Sequence, residues 1–293
     1  APLDGTDLPV FNPATEELYA TISLGGAADA EAAIAAARRT FPSWSMTTPA
    51  ERGEVLRAIL AVYEARAADM AEAISREMGA PIDMALSDQA GAGRSHLKAF
   101  IRALDAFEWQ RPMRPGTEGQ DLVFEAAGVA GLITPWNWPV NQVVLKVGAA
   151  LAAGCTMVLK PSEIAPMSSI LFAEIMHEAG VPAGVFNRVN GDGPGVGTIL
   201  SSHPDIDVVS FTGSTRAGIL ISKAAADTVK TVSLELGGKS PNLVFNDTDI
   251  DAAVARGASF CFANTGQSCN AATRMLVELS LIHISEPTRL TMI

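Results

Sequence analysis

The second half of the chain predicts an α/β fold built on a doubly wound parallel sheet. From residue 128 onward, short runs rich in β-branched residues alternate with segments of helical pattern. The runs are apolar nearly throughout, which is typical of strands that are buried on both faces. Parallel neighbours need crossover connections, and the helical segments supply them. The runs are 129–133, 156–159, 185–189, 208–211, 229–234 and 242–245, and the helical segments are 140–153, 167–179, 195–201, 215–226 and 250–263.

The segments at the ends of the predicted strands also point to this fold class. Polar or glycine-containing segments come directly after four of them, at 134–137, 160–163, 212–214 and 235–238. In a doubly wound sheet, ligands bind at the carboxyl ends of the strands. The sequence therefore predicts a ligand site at this edge, and a dinucleotide is the ligand class that such sheets typically bind there.

The pattern of the first 126 residues predicts helices and short strands with a structural role. Pro49 stands near the start and Gly79 just past the end of a long stretch with apolar residues at helical spacing, so a single amphipathic helix is expected there. Gly91 and Gly93 interrupt the next helical stretch. The expected elements are a turn at 11–15, helices at 27–39, 49–78 and 81–110, a proline- and glycine-rich loop at 111–119, and a strand at 120–126.

Composition and charge narrow the class of protein. The chain has 293 residues, of which 48% are hydrophobic, enough for a packed core. Its net charge of −11 and the lack of a basic cluster argue against nucleic acid or an anionic membrane as a partner, which leaves a small molecule. The longest uncharged run, 126–145, contains two prolines and does not predict a membrane span.

Cysteine and histidine usage indicates the compartment. Cys155, Cys261 and Cys269 are too few, and odd in number, for a disulfide framework. The four histidines show no metal-ligand spacing with them, and the N-terminal residues resemble no export signal. We therefore expect the protein to be located in the reducing cytoplasm and to contain no structural metal.

Two residues carry the strongest chemical signal. Glu235 lies in an apolar, strand-like run, where an ionised carboxylate is costly to bury, so it is expected to be paired or poised to accept a proton. Cys269 comes after Gly-Gln-Ser, a small and polar sequence that favours an accessible sulfur. The pair suits a general base and a nucleophile. The alternatives are a carboxylate tied to a lysine or arginine and a small buried cysteine.

These residues lie in segments that resemble the NAD(P)-dependent aldehyde dehydrogenases. The sequence Glu-Leu-Gly-Gly-Lys-Ser-Pro-Asn at 235–242, followed by Gly-Gln-Ser-Cys at 266–269, is similar to the two signature segments of that family. Further segments occur in the family's order: Pro-Trp-Asn-Trp-Pro at 135–139, Lys-Pro-Ser-Glu at 160–163 and Phe-Thr-Gly-Ser-Thr at 211–215. The resemblance extends from about residue 11 to 277.

The resemblance implies catalytic roles for four residues. Cys269 would be the nucleophile and Glu235 the base that hydrolyses a thioacyl enzyme. Asn137, between two prolines, would hold the oxyanion, although a turn-stabilising asparagine is the alternative. Lys146 matches a residue that the family associates with proton relay. The implied activity is oxidation of a small-molecule aldehyde to a carboxylic acid.

The resemblance also implies an NAD site. Lys160 and Glu163 would bind the adenosine ribose, and because a carboxylate repels a 2′-phosphate, NAD is expected over NADP; a surface ion pair is the alternative. Ser214 begins a helix, where an anion is favoured, or is simply an N-cap. The glycine-dense stretch 191–197 does not have the dinucleotide fingerprint's spacing. The expected cofactor-binding residues are Ile133, Thr134, Pro135, Trp136, Lys160, Ser162, Glu163, Gly193, Gly197, Phe211, Thr212, Gly213, Ser214, Ala217, Leu236 and Gly237.

Two alternative functions share some of these features. A CoA-acylating dehydrogenase has the same fold but passes its acyl group to a thiol and typically lacks a glutamate where Glu235 stands. A non-catalytic NAD-binding protein is the other alternative, and the presence of both Cys269 and Glu235 argues against it.

The resemblance further predicts the domain organisation. Residues 1–110 and 127–237 would form a Rossmann-like NAD-binding domain, and 238–277 the start of a second, α/β catalytic domain. Residues 111–126 would protrude as an oligomerisation hairpin, or as a plain surface loop, in a homodimer or homotetramer. Residues 278–293 match nothing expected of the family and resemble translated vector sequence, so the chain is expected to be a truncated fragment that is inactive alone.

Overall fold

The fold is described from a computed structural model, which covers residues 2–3, 5–116 and 119–281. The chain divides into two compact units, Ala1–Glu235 and Leu236–Ile293. Each unit is built around parallel strands. The strands are β1 (Thr6–Phe11), β2 (Leu18–Leu24), β3 (Gln110–Pro112), β4 (Asp121–Val123), β5 (Val129–Ile133), β6 (Thr156–Lys160), β7 (Phe186–Arg188), β8 (Val208–Gly213), β9 (Thr231–Leu236), β10 (Pro241–Val244) and β11 (Arg274–Val277).

The first unit is organised by a five-stranded sheet with the strand order β7-β6-β5-β8-β9. β5 pairs in parallel with β6 and with β8, and β6 pairs in parallel with β7. Every residue of β5 and β6 is buried, because helices cover both faces of the sheet centre. The predicted doubly wound α/β class is confirmed.

The helices follow the predicted order along the chain, and the main departures from the predicted elements are described below. They are α1 (Ala27–Trp44), α2 (Pro49–Ala65), α3 (Ala67–Met78), α4 (Ile82–Met84), α5 (Gly91–Ala106), α6 (Pro139–Ala152), α7 (Met167–Glu178), α8 (Thr198–Ser202), α9 (Thr215–Ala226) and α10 (Ile250–Phe262). The main hydrophobic core packs α2, α3, α6 and α7 against the sheet, with Leu56, Ile59, Tyr63, Met70, Val143, Val147, Met157, Leu159, Phe172 and Ile175 among its fully or almost fully buried side chains.

The single helix predicted for 49–78 is wrong, because the helix breaks at Arg66. The backbone of Arg66 leaves helical geometry (φ −106°, ψ 18°), and α3 starts in the next residue. The side chain of Arg66 pairs with Asp69, Glu174 and Glu178, so the break points its guanidinium towards α7. The apolar residues keep their helical spacing on both sides of Arg66, so the sequence pattern gave no indication of the break.

The interruption predicted at Gly91 and Gly93 lies instead just before them. A π-helical turn spans Ala85–Ala90, and both glycines are helical residues of α5. Gly93 is needed for close packing, since a Cβ atom there would overlap the Tyr63 hydroxyl.

The run predicted at 242–245 is a strand, but it does not join the main sheet. β10 pairs in parallel with β11 in the second unit, where α10 connects them. Of the stretch predicted as a non-native tail, residues 282–293 lie outside the described residues. In the described part, the backbone N–H of Glu278 donates to Val244 O (2.9 Å) and Leu281 is buried.

The segment predicted as a hairpin contains the antiparallel pair β3–β4, in which Gln110 lies opposite Val123. Phe107, Trp109 and Phe124 form an edge-to-face aromatic cluster at its base. No helix of the described residues has the length and apolar character that a membrane crossing requires.

A buried carboxylate joins the N-terminal helices to the sheet layer. Glu77 on α3 is only 2% exposed and accepts hydrogen bonds from the backbone N–H groups of Met167 (2.5 Å) and Ser168 (3.2 Å), which begin α7. Glu77 thus caps α7 from a distant part of the chain. A negative charge at the N-terminus of a helix also interacts favourably with the helix dipole. Burial nevertheless raises the pKa of Glu77 to about 7, while these hydrogen bonds act to lower it.

We predict that Glu77 makes the chain less stable as the pH rises. Between pH 4.5 and 7 the unfolded state has lost this proton while the folded state retains it, so the free energy of unfolding falls with pH in that window. The change is on the order of 3 kcal/mol. A Glu77→Gln variant cannot titrate at this position and should not show this pH-dependent change. In thermal melts from pH 4.5 to 8, the melting temperature of the variant should rise relative to that of the parent as the pH increases. A difference in melting temperature that stays constant with pH would contradict the assignment.

Candidate active site

The first part of the site is the segment that leaves β5. Ile133 and Thr134 are buried, and the N–H of Thr134 donates to Lys160 O (3.1 Å), which holds the ends of β5 and β6 together. Pro135, Trp136 and Asn137 come next as a half-buried loop. Pro139 then occupies the first position of α6, where its missing N–H is harmless. The loop is thus fixed at both ends.

A glutamine that lies in none of the sequence motifs contacts this loop. Gln89, in the π-helical turn, is fully buried and its Nε2 donates to the backbone oxygen of Asn137 (3.1 Å). Because no motif contains Gln89, the sequence carried no signal for it.

Lys146 lies on the same helix as the loop's anchor. It is 8% exposed, and its Nζ donates to Ser210 Oγ on β8 at 3.0 Å. Burial lowers the pKa of Lys146 to about 8, while the negative charge of Glu235 opposes the shift. The structure therefore brings Lys146 and Glu235 into one electrostatic neighbourhood. Ser210 completes this group, and the sequence did not predict it because it sits inside an apolar strand.

The expectation that Glu235 is buried in an apolar strand is wrong. β9 is the last strand of the sheet, and its side chains alternate between exposed and half-buried positions. Glu235 lies on the exposed side with Thr231 and Ser233. An edge strand with period-2 alternation leaves one set of side chains open, so this carboxylate can meet water.

Lys160 and Glu163 form an ion pair after β6. Lys160 Nζ contacts Glu163 Oε2 at 3.0 Å, and it also donates to Pro161 O at 2.8 Å. Lys160 is only 3% exposed, whereas about a third of the Glu163 side chain is open to solvent. Ser162 between them is buried. The carboxylate, and not the ammonium group, is therefore the group that this strand end presents.

The glycine-dense stretch forms a π-helical turn, Gly193–Gly197, that leads into α8. Asp192 caps the turn by accepting from the N–H of Gly195 (2.7 Å). Around Gly193 the space is open, whereas Gly197 is buried and a Cβ there would lie 3.9 Å from Lys160 Cδ. This turn thus adjoins the end of β6.

The segment after β8 begins α9 through a side-chain cap. Ser214 Oγ accepts from the N–H of Ala217 at 3.2 Å, so the N-cap interaction exists and the hydroxyl is engaged in it. Phe211 and Thr212 are buried, and Thr212 Oγ1 donates to Gln142 Oε1 on α6 (3.1 Å). A Cβ at Gly213 would lie 2.5 Å from the Phe211 ring, so only glycine fits there.

In the second unit, Cys269 is exposed, as predicted. It comes after a 3₁₀ turn, Ala263–Gly266, in which Asn264 and Thr265 have left-handed backbone angles (φ 54° and 56°). Such angles are uncommon for residues other than glycine and mark a constrained loop. Cys155 is buried and Cys261 is half-buried, which leaves Cys269 as the accessible thiol of the described residues. Leu236 is half-buried and Gly237 exposed.

No group of three or more metal-ligating side chains occurs among the residues that the structure describes. The described residues include an accessible thiol, an open carboxylate, a buried lysine and polar segments at the carboxyl ends of the sheet strands. The chain belongs to the aldehyde dehydrogenase family, whose sequence profile matches residues 2–284.

Particular relatives are close in sequence and structure. A 3-succinoylsemialdehyde-pyridine dehydrogenase from Pseudomonas sp is 52% identical over 290 residues, covering 97% of this chain and 60% of that protein. The crystal structure of an aldehyde dehydrogenase from Bartonella henselae has a TM-score of 0.94 and 57% identity, covering 97% of this chain and 59% of that one. Aldehyde dehydrogenase C of Pseudomonas syringae, a mutant in complex with NAD+ and octanal, has a TM-score of 0.94 and 47% identity, covering 97% and 58%. This chain thus spans about 60% of the length of these relatives.

We predict that Lys146 titrates near pH 8, far below an exposed lysine. Heteronuclear NMR of the lysine side chains should show one such midpoint, which Lys146→Met abolishes. Ser210→Ala should lower the midpoint further, because it removes an acceptor that stabilises the charged form. A Lys146 midpoint near 10.5, or no response to Ser210→Ala, would contradict the described geometry.

Proposed function

We propose that this chain carries the cofactor site and the nucleophile of an NAD-dependent aldehyde dehydrogenase, which oxidises an aldehyde to a carboxylic acid. The observation that carries the proposal is that Glu235 lies open at the carboxyl edge of the sheet and close enough to the buried Lys146 to act on it electrostatically, in a chain that also presents an accessible Cys269. The NAD+ and octanal bound by the Pseudomonas syringae relative support both the cofactor and the substrate class.

The first step is nucleophilic addition. The Cys269 thiolate attacks the aldehyde carbon, a C–S bond forms, and the carbonyl oxygen takes the electron pair as an oxyanion. Asn137 stabilises this oxyanion through its side-chain amide, and a single donor of that kind is typically worth roughly 10²–10³-fold in rate. The fixed loop between β5 and α6 suits this role because a donor that is already positioned needs no rearrangement.

The residues around the sheet edge fit an NAD molecule. Glu163 presents an open carboxylate of the kind that accepts hydrogen bonds from ribose hydroxyls, and the N-terminal N–H groups of α9 after Ser214 suit a pyrophosphate. Open space at Gly193 leaves room for close approach of a ligand to the backbone. The chemistry supplied by NAD when bound is acceptance of the aldehyde hydrogen as hydride, which leaves the acyl group on Cys269 as a thioester.

The last step is hydrolysis. Glu235 accepts a proton from water, the resulting hydroxide adds to the thioester carbon, and the C–S bond breaks to release the acid and the Cys269 thiolate. The exposure of Glu235 gives it access to that water. Lys146, held by Ser210, lies near enough for the charge of Glu235 to act on its pKa, and it takes the role of proton relay. A CoA-acylating enzyme would need no such base, so release of acid without CoA distinguishes the two.

The assembly and compartment are part of the same proposal. The β3–β4 hairpin, with exposed Leu122 and Val123, contributes to the interface of a homodimer or homotetramer. The enzyme acts in the reducing cytoplasm, where Cys269 remains a free thiol.

The test of the hydrolytic role is a Glu235→Gln variant of the full-length protein that carries this sequence. Because the hydride leaves before the thioester is hydrolysed, the rapid burst of NADH should persist while steady turnover falls by about 10²-fold or more. Cys269→Ala is the control and should abolish both the burst and labelling by an aldehyde-mimicking electrophile. Equal loss of burst and steady rate in Glu235→Gln would indicate a structural role, and turnover retained in Cys269→Ala would refute the nucleophile.

The second test concerns the cofactor. We predict a higher kcat/KM with NAD than with NADP, because the Glu163 carboxylate repels a 2′-phosphate. Glu163→Gln removes that charge and frees Lys160, so the preference should fall by about tenfold, or about 1.4 kcal/mol. Glu174→Gln, which alters an ion pair with Arg66 on another surface, is the matched control. Preference for NADP in the parent, or an unchanged ratio in Glu163→Gln, would refute the role of Glu163.

A further inference from the structure

We propose that Gln89 is a positioning residue for the oxyanion-binding asparagine. Its side chain holds the backbone of Asn137 from a neighbouring helix and thereby sets where the Asn137 amide points. The inference rests on the role given to Asn137 in the proposed function, and it adds to that role a residue that lies in none of the motifs.

The π-helical turn explains how Gln89 comes to face the loop. Ala85–Ala90 is wound with one extra residue per turn, between the short helix α4 and the long helix α5. Ser87 and Asp88 in this turn are exposed, whereas Gln89 and Ala90 are buried. Within this turn the polar side chain of Gln89 is thus directed inward, beside the buried Ala90.

A buried glutamine must find partners for its amide, and this one contacts the catalytic loop. Gln89 is fully buried, and its Nε2 lies 3.1 Å from Asn137 O and 3.3 Å from Met78 Sδ. The Asn137 carbonyl belongs to the residue before the N-cap of α6, Trp138, and so lies outside the helix's own ladder. Of these two acceptors the Asn137 oxygen is the stronger, since a thioether sulfur accepts only weakly, so the Gln89 N–H group holds the backbone of the residue whose side chain must be aimed.

A second tether from the same scaffold supports the arrangement. His96 on α5 lies 2.6 Å, through Nε2, from Asn141 Oδ1 in the first turn of α6. The π-turn and α5 thus hold the loop on one side of Pro139 through Gln89, and on the other side through His96. Between these two points the backbone of Asn137 has little freedom to rotate. A misplacement of a catalytic group by about 1 Å can reduce a rate on the order of 10²-fold, so such a tether matters for chemistry.

The experiment is a double-mutant cycle in the full-length protein that carries this sequence. Gln89→Met keeps the length of the side chain and removes the donor, and Asn137→Ala removes the proposed oxyanion ligand. Ser87→Ala, an exposed residue of the same π-turn, is the matched control. The measurements are the rate of the NADH burst, the Kd for NAD, and hydrogen exchange of the backbone amides at 136–142.

We expect Gln89→Met to slow the burst by about 10- to 100-fold in the parent and by less than about twofold in the Asn137→Ala background, with the Kd for NAD unchanged. Hydrogen exchange at 136–142 should rise in Gln89→Met and not in Ser87→Ala. An equal loss in both backgrounds, or no loss in the parent, would overturn the inference. If Asn137→Ala itself leaves the burst unchanged, the oxyanion role in the proposed function fails first, and the two failures are thereby distinguished.

Discussion

The parallel pairing of β5 with β6 is the constraint on which the rest of the first unit depends. Both strands are buried along their whole length, so helices must cover the sheet on both faces. Side chains with charges or amides cannot lie in the middle of such strands without partners. They are displaced to the carboxyl ends, where Thr134, Lys160 and Ser214 stand at or just beyond the last apolar residues. The location of the candidate site is thus a consequence of how the core is covered.

The same physics gives two buried ionisable groups different uses. Glu77 and Lys146 both have pKa values moved towards the neutral form by burial. The Glu77 carboxylate accepts from two backbone N–H groups at the start of α7, and this is a structural role. Lys146 donates to the Ser210 hydroxyl and lies in the field of the open Glu235 carboxylate, which suits a group that exchanges its proton. What separates them is the set of partners, since Glu77 accepts from backbone groups that begin a helix, whereas Lys146 donates to a side-chain hydroxyl and lies in the field of an acid.

Sequence patterns correctly predicted those features that depend on neighbouring residues in the chain. The apolar run of β5 and the helix α9 were placed with their observed bounds, and Cys269 was correctly expected to be accessible. The break at Arg66, the π-turn before Gly91 and the exposure of Glu235 were missed because each depends on a contact or position set by distant residues. Arg66 leaves the helix to meet α7, and Glu235 is open because β9 is an edge strand. Gln89 illustrates the limit, since only the fold places it beside Asn137.

The cap on α7 has a consequence for how the chain folds as it is made. Glu77 contacts Met167 and Ser168, Arg38 contacts Asp207, and the hydroxyl of Thr156 bonds to Ala37 O, so the first helices complete their polar contacts only with residues far downstream. At a synthesis rate of roughly 5–20 residues per second, α3 waits on the order of 5–20 s before its partner emerges. During that time the Glu77 carboxylate of α3 lacks the backbone donors that it accepts from in the folded chain. The polar contacts of the first helices are therefore complete only after residue 207 has been synthesised.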